Sequence, residues 1–383
     1  MSNKLLELKD ENGFFKVPDY TDFVDGNALI KELQDVFIKH LVLPSGSALV
    51  LALWVIHTYI VEYWQYTPRL FIYSPVPGCG KSVLLGLLSL LCYRSSITGN
   101  TTTSSIFRTI DKYRPVTILI DEVECFAQGN EQMRSLIDTG YDRLMGYIDR
   151  TESNKKNFEP KKFYCFSALA MAGLEKLHPS VMSRSILIMM KKKKETEHIE
   201  PFYIDEMAEK AIVMQSKILR WVSDNENVLY TCNPAFIKNM ENRTKDIWKP
   251  LFAIAQTISE ECLAELQYVA GMMLDDQSDD IVDDTTLLKD VKNVFDDDKA
   301  ERLSTAELLK RLYQINEHGW GIKEYGQYVL NQHTLARRLA KFCIKPVQWR
   351  DGEHRHRGYI RVELEDAFER YIPASSCDNV TNG

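Results

Sequence analysis

The sequence SPVPGCGKS, residues 74–82, stands between the apolar run Leu70–Tyr73 and an apolar segment that continues to Leu91. This pattern predicts a strand, a glycine-containing loop and a helix. In that arrangement successive backbone N–H groups and the helix N-terminus bind phosphates. The residues that we expect to contact a nucleotide there are Pro77, Gly78, Cys79, Gly80, Lys81, Ser82 and Val83.

Two side chains of this segment have the chemistry that a phosphate-binding loop (P-loop) requires. Lys81 can reach the β- and γ-phosphates of ATP, and Ser82 can ligate Mg²⁺. The segment departs from the pattern GxxxxGK[ST] at Pro75, which stands in place of the first glycine. Proline preserves a turn and removes an N–H donor only at the loop entrance, so we expect binding to survive. The alternative is an ordinary strand–helix turn with a chance Lys-Ser pair.

A second strand carries the acidic partner of this loop. The continuous apolar run Val116–Ile120 suits a strand covered on both faces, and it ends at Asp121 and Glu122. Ligands of open α/β sheets bind at the carboxyl ends of strands. We therefore expect Asp121 to hold Mg²⁺ together with Ser82, and Glu122 to orient and polarise the attacking water.

Composition sets the wider limits. The chain has 383 residues, 45% of them hydrophobic and 26% charged, with a net charge of −7, which argues against a chain that simply coats nucleic acid. Its eight cysteines include no CxxC pair, and the start, MSNKLLELKDENG, is polar. The apolar run Ala48–Val61 is too short to span a bilayer. These features predict a reduced, cytoplasmic protein without a membrane partner.

Strands that alternate with helices up to Lys194 predict an α/β fold with a parallel sheet, to which Phe163–Leu169 and Ser185–Met190 would contribute strands. Helices are predicted beyond it, at Ile204–Val222, Pro234–Glu241 and Trp248–Met273. The predicted divisions are an N-terminal helical region (1–66), a P-loop ATPase core (67–198), a helical lid with an acidic linker (199–285), a winged-helix domain (286–373) and a disordered tail (374–383).

The linker prediction rests on the aspartates between Asp275 and Asp284, which lack the glycine and the ligand spacing of an EF-hand loop. A metal site is the alternative that this run leaves open.

Arg184 directly precedes the predicted strand Ser185–Met190. In ring-forming ATPases an arginine at this place reaches the γ-phosphate of the neighbouring subunit and stabilises the transition state. The alternative is a surface ion pair. If Arg184 is such a finger, the active site requires an oligomer.

The order of SPVPGCGKS, TILIDEVE and ALAMAGLEKLHPSVMSRSILI resembles an ATPase-domain family of unassigned function found in phage and mobile-element primase–helicases. The resemblance continues through NRTKDIWKPLFAIA, ELLKRLYQINEHGW and LARRLAKFCIKPVQWRDGEHRHRGYIRVELEDAFERYI, and spans about residues 45 to 372. It implies an AAA+-type core, the use of ATP and Mg²⁺, and a hexameric ring akin to replicative helicases of mobile elements.

The resemblance also implies roles for single residues. Arg184 matches the finger-like arginine, and Arg243 would be the lid arginine that senses nucleotide; a helix-surface arginine is the alternative for Arg243. The polar sensor of the fourth core strand has no obvious counterpart in Ala168–Gly173, and Ser167 is the nearest candidate.

Two regions favour contact with nucleic acid. Residues 146–162 predict a hairpin with Lys155 and Lys156 near its tip, which would grip a phosphate backbone without sequence preference. An ordinary solvated loop is the alternative.

The second region is the predicted winged helix. Residues 299–373 contain 14 Lys and Arg against ten Asp and Glu, which gives net +4 within a protein of net −7. We expect DNA contacts from the predicted recognition helix through Arg337, Arg338 and Lys341, and from the wing through Arg355 and Arg357. A winged helix that binds protein is the alternative.

Together these features predict an ATP-hydrolysing, ring-forming motor on DNA, helicase-like, in phage or mobile-element DNA replication, with replication proteins as further partners. The alternative is a non-unwinding AAA+ ATPase, such as a helicase loader, an assembly switch or an anti-phage defence ATPase, whose winged helix binds protein.

Overall fold

The computed structural model describes residues 3–74, 77–99, 101–123, 131–154, 157–174, 177–194, 196–238, 240–315, 320–321, 323–324, 327–328, 330–340, 342, 344–352 and 354–372. The chain divides into two compact units, Met1–Met273 and Leu274–Gly383.

The first unit begins with helices α1 (Asn3–Glu7), α2 (Gly26–His40) and α3 (Ser47–Tyr59), followed by a 3₁₀ turn at Val61–Tyr63. The side chain of Asp25 caps α2 by accepting a hydrogen bond from the Ala28 N–H. Helix α3 is apolar and almost entirely buried. It starts after Gly46, whose φ of 77° places it in the left-handed region.

A five-stranded parallel sheet forms the centre of this unit, so the chain is a mixed α/β protein. The elements in chain order are β1 (Arg69–Tyr73), α4 (Lys81–Leu91), β2 (Ser95–Thr98), α5 (Thr103–Tyr113), β3 (Thr117–Ile120), α6 (Glu131–Thr139), β4 (Tyr147–Asn154), β5 (Asn157–Tyr164), β6 (Ala168–Gly173), α7 (Pro179–Met182) and β7 (Ser185–Met189). The sheet order is β2-β3-β6-β1-β7, so β6 lies between β1 and β3. Strands β4 and β5 pair with each other as an antiparallel hairpin outside the sheet.

One predicted strand was wrong, and one strand was missed. The run Phe163–Leu169 is not one strand, because Phe163 and Tyr164 end the hairpin strand β5 and the sheet strand β6 begins at Ala168. Strand β2 was not predicted, because its four residues are only partly buried and lack a continuous apolar run.

The helices that follow are α8 (Ile204–Thr231), α9 (Asn242–Ile258) and α10 (Glu260–Asp297). The predicted helix Pro234–Glu241 is wrong, because residues 232–238 are irregular. The predicted helix Trp248–Met273 is interrupted at Ser259, where α9 ends.

The predicted linker Asp275–Asp284 is helical, because α10 runs through these residues; that it links two domains stays a prediction. Aspartate costs a helix less than about 1 kcal/mol per residue relative to alanine. Buried apolar side chains such as Leu266 and Ala270 precede the acidic run, and Leu287 and Val291 follow it. The helical pattern on both sides outweighs that cost.

The second unit continues with β8 (Arg302–Ser304), α11 (Thr305–Leu312), β9 (Lys323–Glu324), β10 (Gln327–Tyr328), α12 (Gln332–Ala340), β11 (Val347–Asp351), β12 (His354–Ile360) and α13 (Val362–Tyr371). Strands β11, β12 and β8 form an antiparallel sheet. The hydrophobic core of the second unit includes Leu308, Leu335 and Tyr359. Ser304 and Glu307 form a capping box at the start of α11.

Within the described part of the chain, each helix is either too short or too polar to cross a lipid bilayer.

Candidate active site

The loop after β1 lies at the carboxyl edge of the parallel sheet. The Ser74 N–H donates to the carbonyl of Gly173 at the end of β6, 3.3 Å away, and Pro75 lies outside the described residues. Gly78 and Gly80 have φ values of 78° and 86°, which side chains rarely adopt. The Gly80 carbonyl accepts the first helical hydrogen bond from the Leu84 N–H at 2.9 Å. The loop therefore leads directly into the N-terminus of α4.

Lys81 is the first residue of this helix, and its Nζ donates to the Ser74 hydroxyl at 2.7 Å. Because Ser74 is the first residue after β1, this bond holds the ammonium group at the mouth of the loop. The sequence prediction did not include Ser74; its place directly after the apolar strand is the signal that could have found it.

Ser82 and Asp121 meet across the sheet edge, although they are distant in sequence. The Ser82 Oγ donates to Asp121 Oδ2 at 3.1 Å. Asp121 follows β3 and is fixed by its own N–H, which donates to the Thr98 carbonyl at 3.0 Å. A hydroxyl and a carboxylate oxygen at this distance are the donor set that Mg²⁺ prefers, and the residues present therefore fit that ion.

Glu122 follows in an unusual backbone conformation with a φ of 51°. Its N–H donates to Asp121 Oδ1 at 3.0 Å, and the next N–H, of Val123, donates to the Ala172 carbonyl at 2.9 Å. Left-handed geometry costs a non-glycine residue about 1–2 kcal/mol. These flanking bonds hold Glu122 in that geometry and leave its side chain exposed beside the Asp121 carboxylate.

The remaining predicted loop residues differ in exposure. Pro77 is exposed, Val83 is partly buried on the first turn of α4, and the Cys79 side chain is buried at 6% exposure. Cys79 can therefore offer a ligand its backbone N–H and not its thiol.

Ser167 does not lie at this edge, so the prediction that it is the nearest sensor candidate was wrong. It precedes β6, its side chain is buried, and its carbonyl accepts a hydrogen bond from Arg69 at the start of β1. In a parallel sheet this is the amino edge, and the six residues of β6 separate it from the loop by about 20 Å. The error follows from the wrong start assigned to the strand.

Arg184 also lies at the amino edge, because it directly precedes β7 and its carbonyl accepts a hydrogen bond from the Arg69 N–H at 3.0 Å. Its side chain is 17% exposed and lies 3.5 Å from the Asp138 carboxylate. It therefore does not reach the Lys81 loop of its own chain.

Arg243 is exposed at the start of α9, and its NH1 lies 3.5 Å from the Ser183 hydroxyl. Ser183 ends α7 just before β7, so Arg243 shares the amino edge with Arg184. Arg243 therefore does not reach the Lys81 loop of its own chain, and a contact with nucleotide stays a prediction.

The predicted nucleic-acid contacts are only partly described. Lys155, Lys156 and Lys341 lie outside the described residues. Arg337 is exposed on α12, whereas the Arg338 guanidinium packs 4.9 Å from the centre of the Trp320 ring. Arg338 thus has a packing role within its own unit.

The basic residues of strands β11 and β12 form one face of this strand pair. Arg350 and Arg355 are direct cross-strand partners, and Arg357 pairs with Gln348 two residues further along. Side chains alternate between the faces of a strand, so all three arginines share one face. They are exposed, and like charges placed opposite each other are unfavourable without an anion.

Comparison with known proteins gives limited likeness. Residues 189–371 match the model of a family described as "Protein of unknown function (DUF3631)". No curated protein is similar enough to this chain to count as a match.

Among solved structures, the apo C-terminal region of NrS-1 is similar at 12% identity and a TM-score of 0.38, covering 90% of this chain and 77% of that one. A full-length MCM homolog from Methanopyrus kandleri is similar at 10% identity and a TM-score of 0.42, covering 68% of this chain and 63% of that one.

Proposed function

We propose that this chain is a P-loop ATPase that hydrolyses ATP with Mg²⁺ at the carboxyl edge of its sheet. The observation that carries this proposal is the hydrogen bond of 3.1 Å between Ser82 and Asp121, beside Lys81 at the start of α4. This bond joins two segments that are separate in sequence into one site. The site combines the Lys81 ammonium group, the oxygen ligands of Ser82 and Asp121, and the N-terminus of α4.

Each residue has a defined task in hydrolysis. Lys81 and the backbone N–H groups of the loop bind the phosphates, and Ser82 and Asp121 hold the metal ion. Mg²⁺ neutralises charge on the β- and γ-phosphates when it is bound. Glu122, exposed beside Asp121, orients the attacking water and accepts its proton.

The test is ATP turnover and nucleotide affinity measured on single variants. Lys81→Ala should abolish binding, and Glu122→Gln should bind ATP with near wild-type affinity and stop hydrolysis. Lys112→Ala, on the exposed surface of α5, removes an equal charge elsewhere and should leave both unchanged. Full turnover in Glu122→Gln would show that another group activates the water.

The proposal extends to an oligomer, because Arg184 and Arg243 lie at the edge opposite the loop. In an AAA+-type ring a second copy would place its Arg184 against the γ-phosphate at the first copy's loop and stabilise the transition state. Arg184→Ala should then bind ATP and lose turnover. An unchanged rate in that variant would remove the case for a shared site.

DNA is the proposed substrate of the motor, and a helicase-like activity follows from it. Support comes from the basic face of the C-terminal unit, which we assign as the wing of a winged helix, where Arg350, Arg355 and Arg357 share one exposed surface. Phosphate contacts of this kind need no base sequence and weaken steeply with salt.

The decisive variant is Arg355→Ala/Arg357→Ala, with Lys289→Ala/Lys310→Ala as a control of equal charge on other elements. Loss of two phosphate contacts should reduce the slope of log K against log salt by about 1.4 for single-stranded DNA. An ATPase whose rate no DNA increases would favour the alternative, an ATPase that remodels a protein partner.

A further inference from the structure

Arg184 is enclosed by side chains of its own chain. Its NH1 donates to the Ser180 carbonyl at 2.6 Å and lies 3.5 Å from Asp138 Oδ1, and its Cζ lies 4.8 Å from the centre of the Tyr141 ring. An arginine held on three sides has a defined direction, which most surface arginines lack.

The carboxylate of this cluster is itself fixed. Asp138 Oδ2 accepts a hydrogen bond from the Ser180 hydroxyl at 2.7 Å, which orients the group at the end of α6. Asp138 Oδ1 and Arg184 Nε are buried, and neither forms a hydrogen bond with any of the described residues. A separation of 3.5 Å exceeds the 2.7–2.9 Å of a charge-assisted hydrogen bond, so the ion pair is aligned but loose.

A second cation lies beneath this pair. Arg69, at the start of β1, is 1% exposed, and its guanidinium donates to the carbonyls of Ile137 and Ser167. Burial lowers the pKa of Arg69 to about 10; the Asp138 charge opposes this shift and the Arg184 charge adds to it. Asp138 thus acts electrostatically on both guanidinium groups, Arg184 at 3.5 Å and Arg69 beyond it.

Because Asp138 interacts with both arginines, Arg184 can leave it at a lower cost. A buried carboxylate that loses its only cation is strongly destabilised. Asp138 would keep the charge of Arg69 nearby if Arg184 turned to another anion. The surrounding groups therefore orient Arg184, but its ion pair with Asp138 can break at a modest cost.

We propose that Asp138 and Tyr141 are positioning residues that present Arg184 as a releasable cation to a nucleotide phosphate bound by a second copy of this chain. This inference rests on the proposed function, which supplies the phosphate.

The surroundings of the cluster favour a second copy as the partner. Leu144 and Met145 follow Tyr141 closely in the chain and are 74% and 64% exposed. Methionine and arginine are both enriched at protein interfaces, whose buried centre is more apolar than the rest of the surface. The chain's own loop is excluded as the phosphate site because it lies at the opposite edge of the sheet.

The test begins with ATP turnover of Asp138→Asn and Tyr141→Leu in the full chain. Misplacing a catalytic group by about 1 Å can cost on the order of 100-fold in rate, so we expect kcat to fall about 10- to 100-fold. The KM for ATP should stay within about twofold, because the contacts that bind ATP in the ground state are unchanged. Tyr141→Phe keeps the ring and Asp142→Asn makes the same charge change without touching Arg184, and both should behave as wild type.

Mixed oligomers distinguish positioning from folding damage. Asp138→Asn retains an intact loop, so mixing it with Lys81→Ala, which retains a positioned Arg184, should restore turnover. Mixing it with Arg184→Ala should restore nothing, because neither chain then supplies a positioned arginine.

The outcomes separate this inference from the proposed function. Normal turnover in Asp138→Asn, while Arg184→Ala is inactive, would overturn the positioning role and leave the shared site standing. A loss in Asp138→Asn that Lys81→Ala does not rescue would also overturn it. Normal turnover in Arg184→Ala would remove the shared site and this inference together.

Discussion

Replacing Gly80 by alanine tests whether the loop geometry is what binds nucleotide. Gly80 has a φ of 86°, and a Cβ built there would lie 2.9 Å from Leu41 Cδ2. Gly78, with a φ of 78°, has no described atom within 4 Å of such a Cβ. Both glycines have a positive φ, but only at Gly80 would an added Cβ also collide with a side chain, that of Leu41.

The expected magnitude follows from these two terms. A residue with a side chain in left-handed geometry costs about 1–2 kcal/mol. If the substituted loop relaxes in the free protein, it must return to that geometry to bind phosphates. Since 1.4 kcal/mol is tenfold in affinity, the Kd for ATP should rise about 5- to 30-fold in Gly78→Ala. Gly80→Ala should lose more, because Leu41 must also move.

The assay is ATP titration by calorimetry together with thermal unfolding. Gly13 provides the control, because its φ is 85° and its added Cβ would also meet no described atom within 4 Å. It lies in the turn after α1, away from the loop, so Gly13→Ala should lower the melting temperature and leave the Kd for ATP unchanged. Wild-type affinity in both loop variants would refute the assignment of this loop as the phosphate site.

Further predictions concern stability. Burial, with a contribution from the Arg69 charge, lowers the pKa of His57 from 6.5 to about 3. Below pH 6.5 the imidazole of His57 is therefore protonated in the unfolded chain and neutral in the folded one. The free energy of unfolding should fall by about 2 kcal/mol between pH 7 and 5. In His57→Gln this pH-dependent loss should be absent from urea unfolding curves. Gly46→Ala would bring a Cβ to 2.3 Å from Val269 Cγ2 at a φ of 77°, and should destabilise the first unit by about 2–4 kcal/mol in the same assay. Ser304→Ala removes the capping box and should cost about 1 kcal/mol in thermal unfolding. The Ser304 hydroxyl and N–H lower the pKa of Glu307 from 4.5, so their stabilisation is present above pH 4.5 and lost as the pH falls below it; the Ser304→Ala cost should shrink accordingly at pH 3.

Much of the candidate site could be predicted from the sequence, because its parts are local. The apolar runs before Ser74 and Asp121 are strands, and the residues that follow them are delivered to the sheet edge by chain direction alone. The glycines at 78 and 80 stand where the backbone takes positive φ. Only the contact between Ser82 and Asp121 requires the tertiary fold.

The errors share a different cause, which is competition between local pattern and long-range pairing. Phe163 and Tyr164 pair with Ile148 and Tyr147 in the hairpin, so the apolar run was divided between two structures. Strand β2 has little apolar signal and is a strand because it pairs with β3. Periodicity does not report such partners.

Strand direction explains which candidate residues could meet. In a parallel sheet the residues that follow strands converge at one edge, and those that precede strands converge at the other. Lys81, Ser82, Asp121 and Glu122 come after β1 and β3, whereas Ser167 and Arg184 come before β6 and β7. This rule needs only correct strand boundaries. Because the strand was predicted to begin at Phe163 and β6 begins at Ala168, Ser167 was assigned to the wrong edge of the sheet. It also means that an arginine placed like Arg184 can act at a nucleotide only across an interface, whatever the family to which the chain belongs.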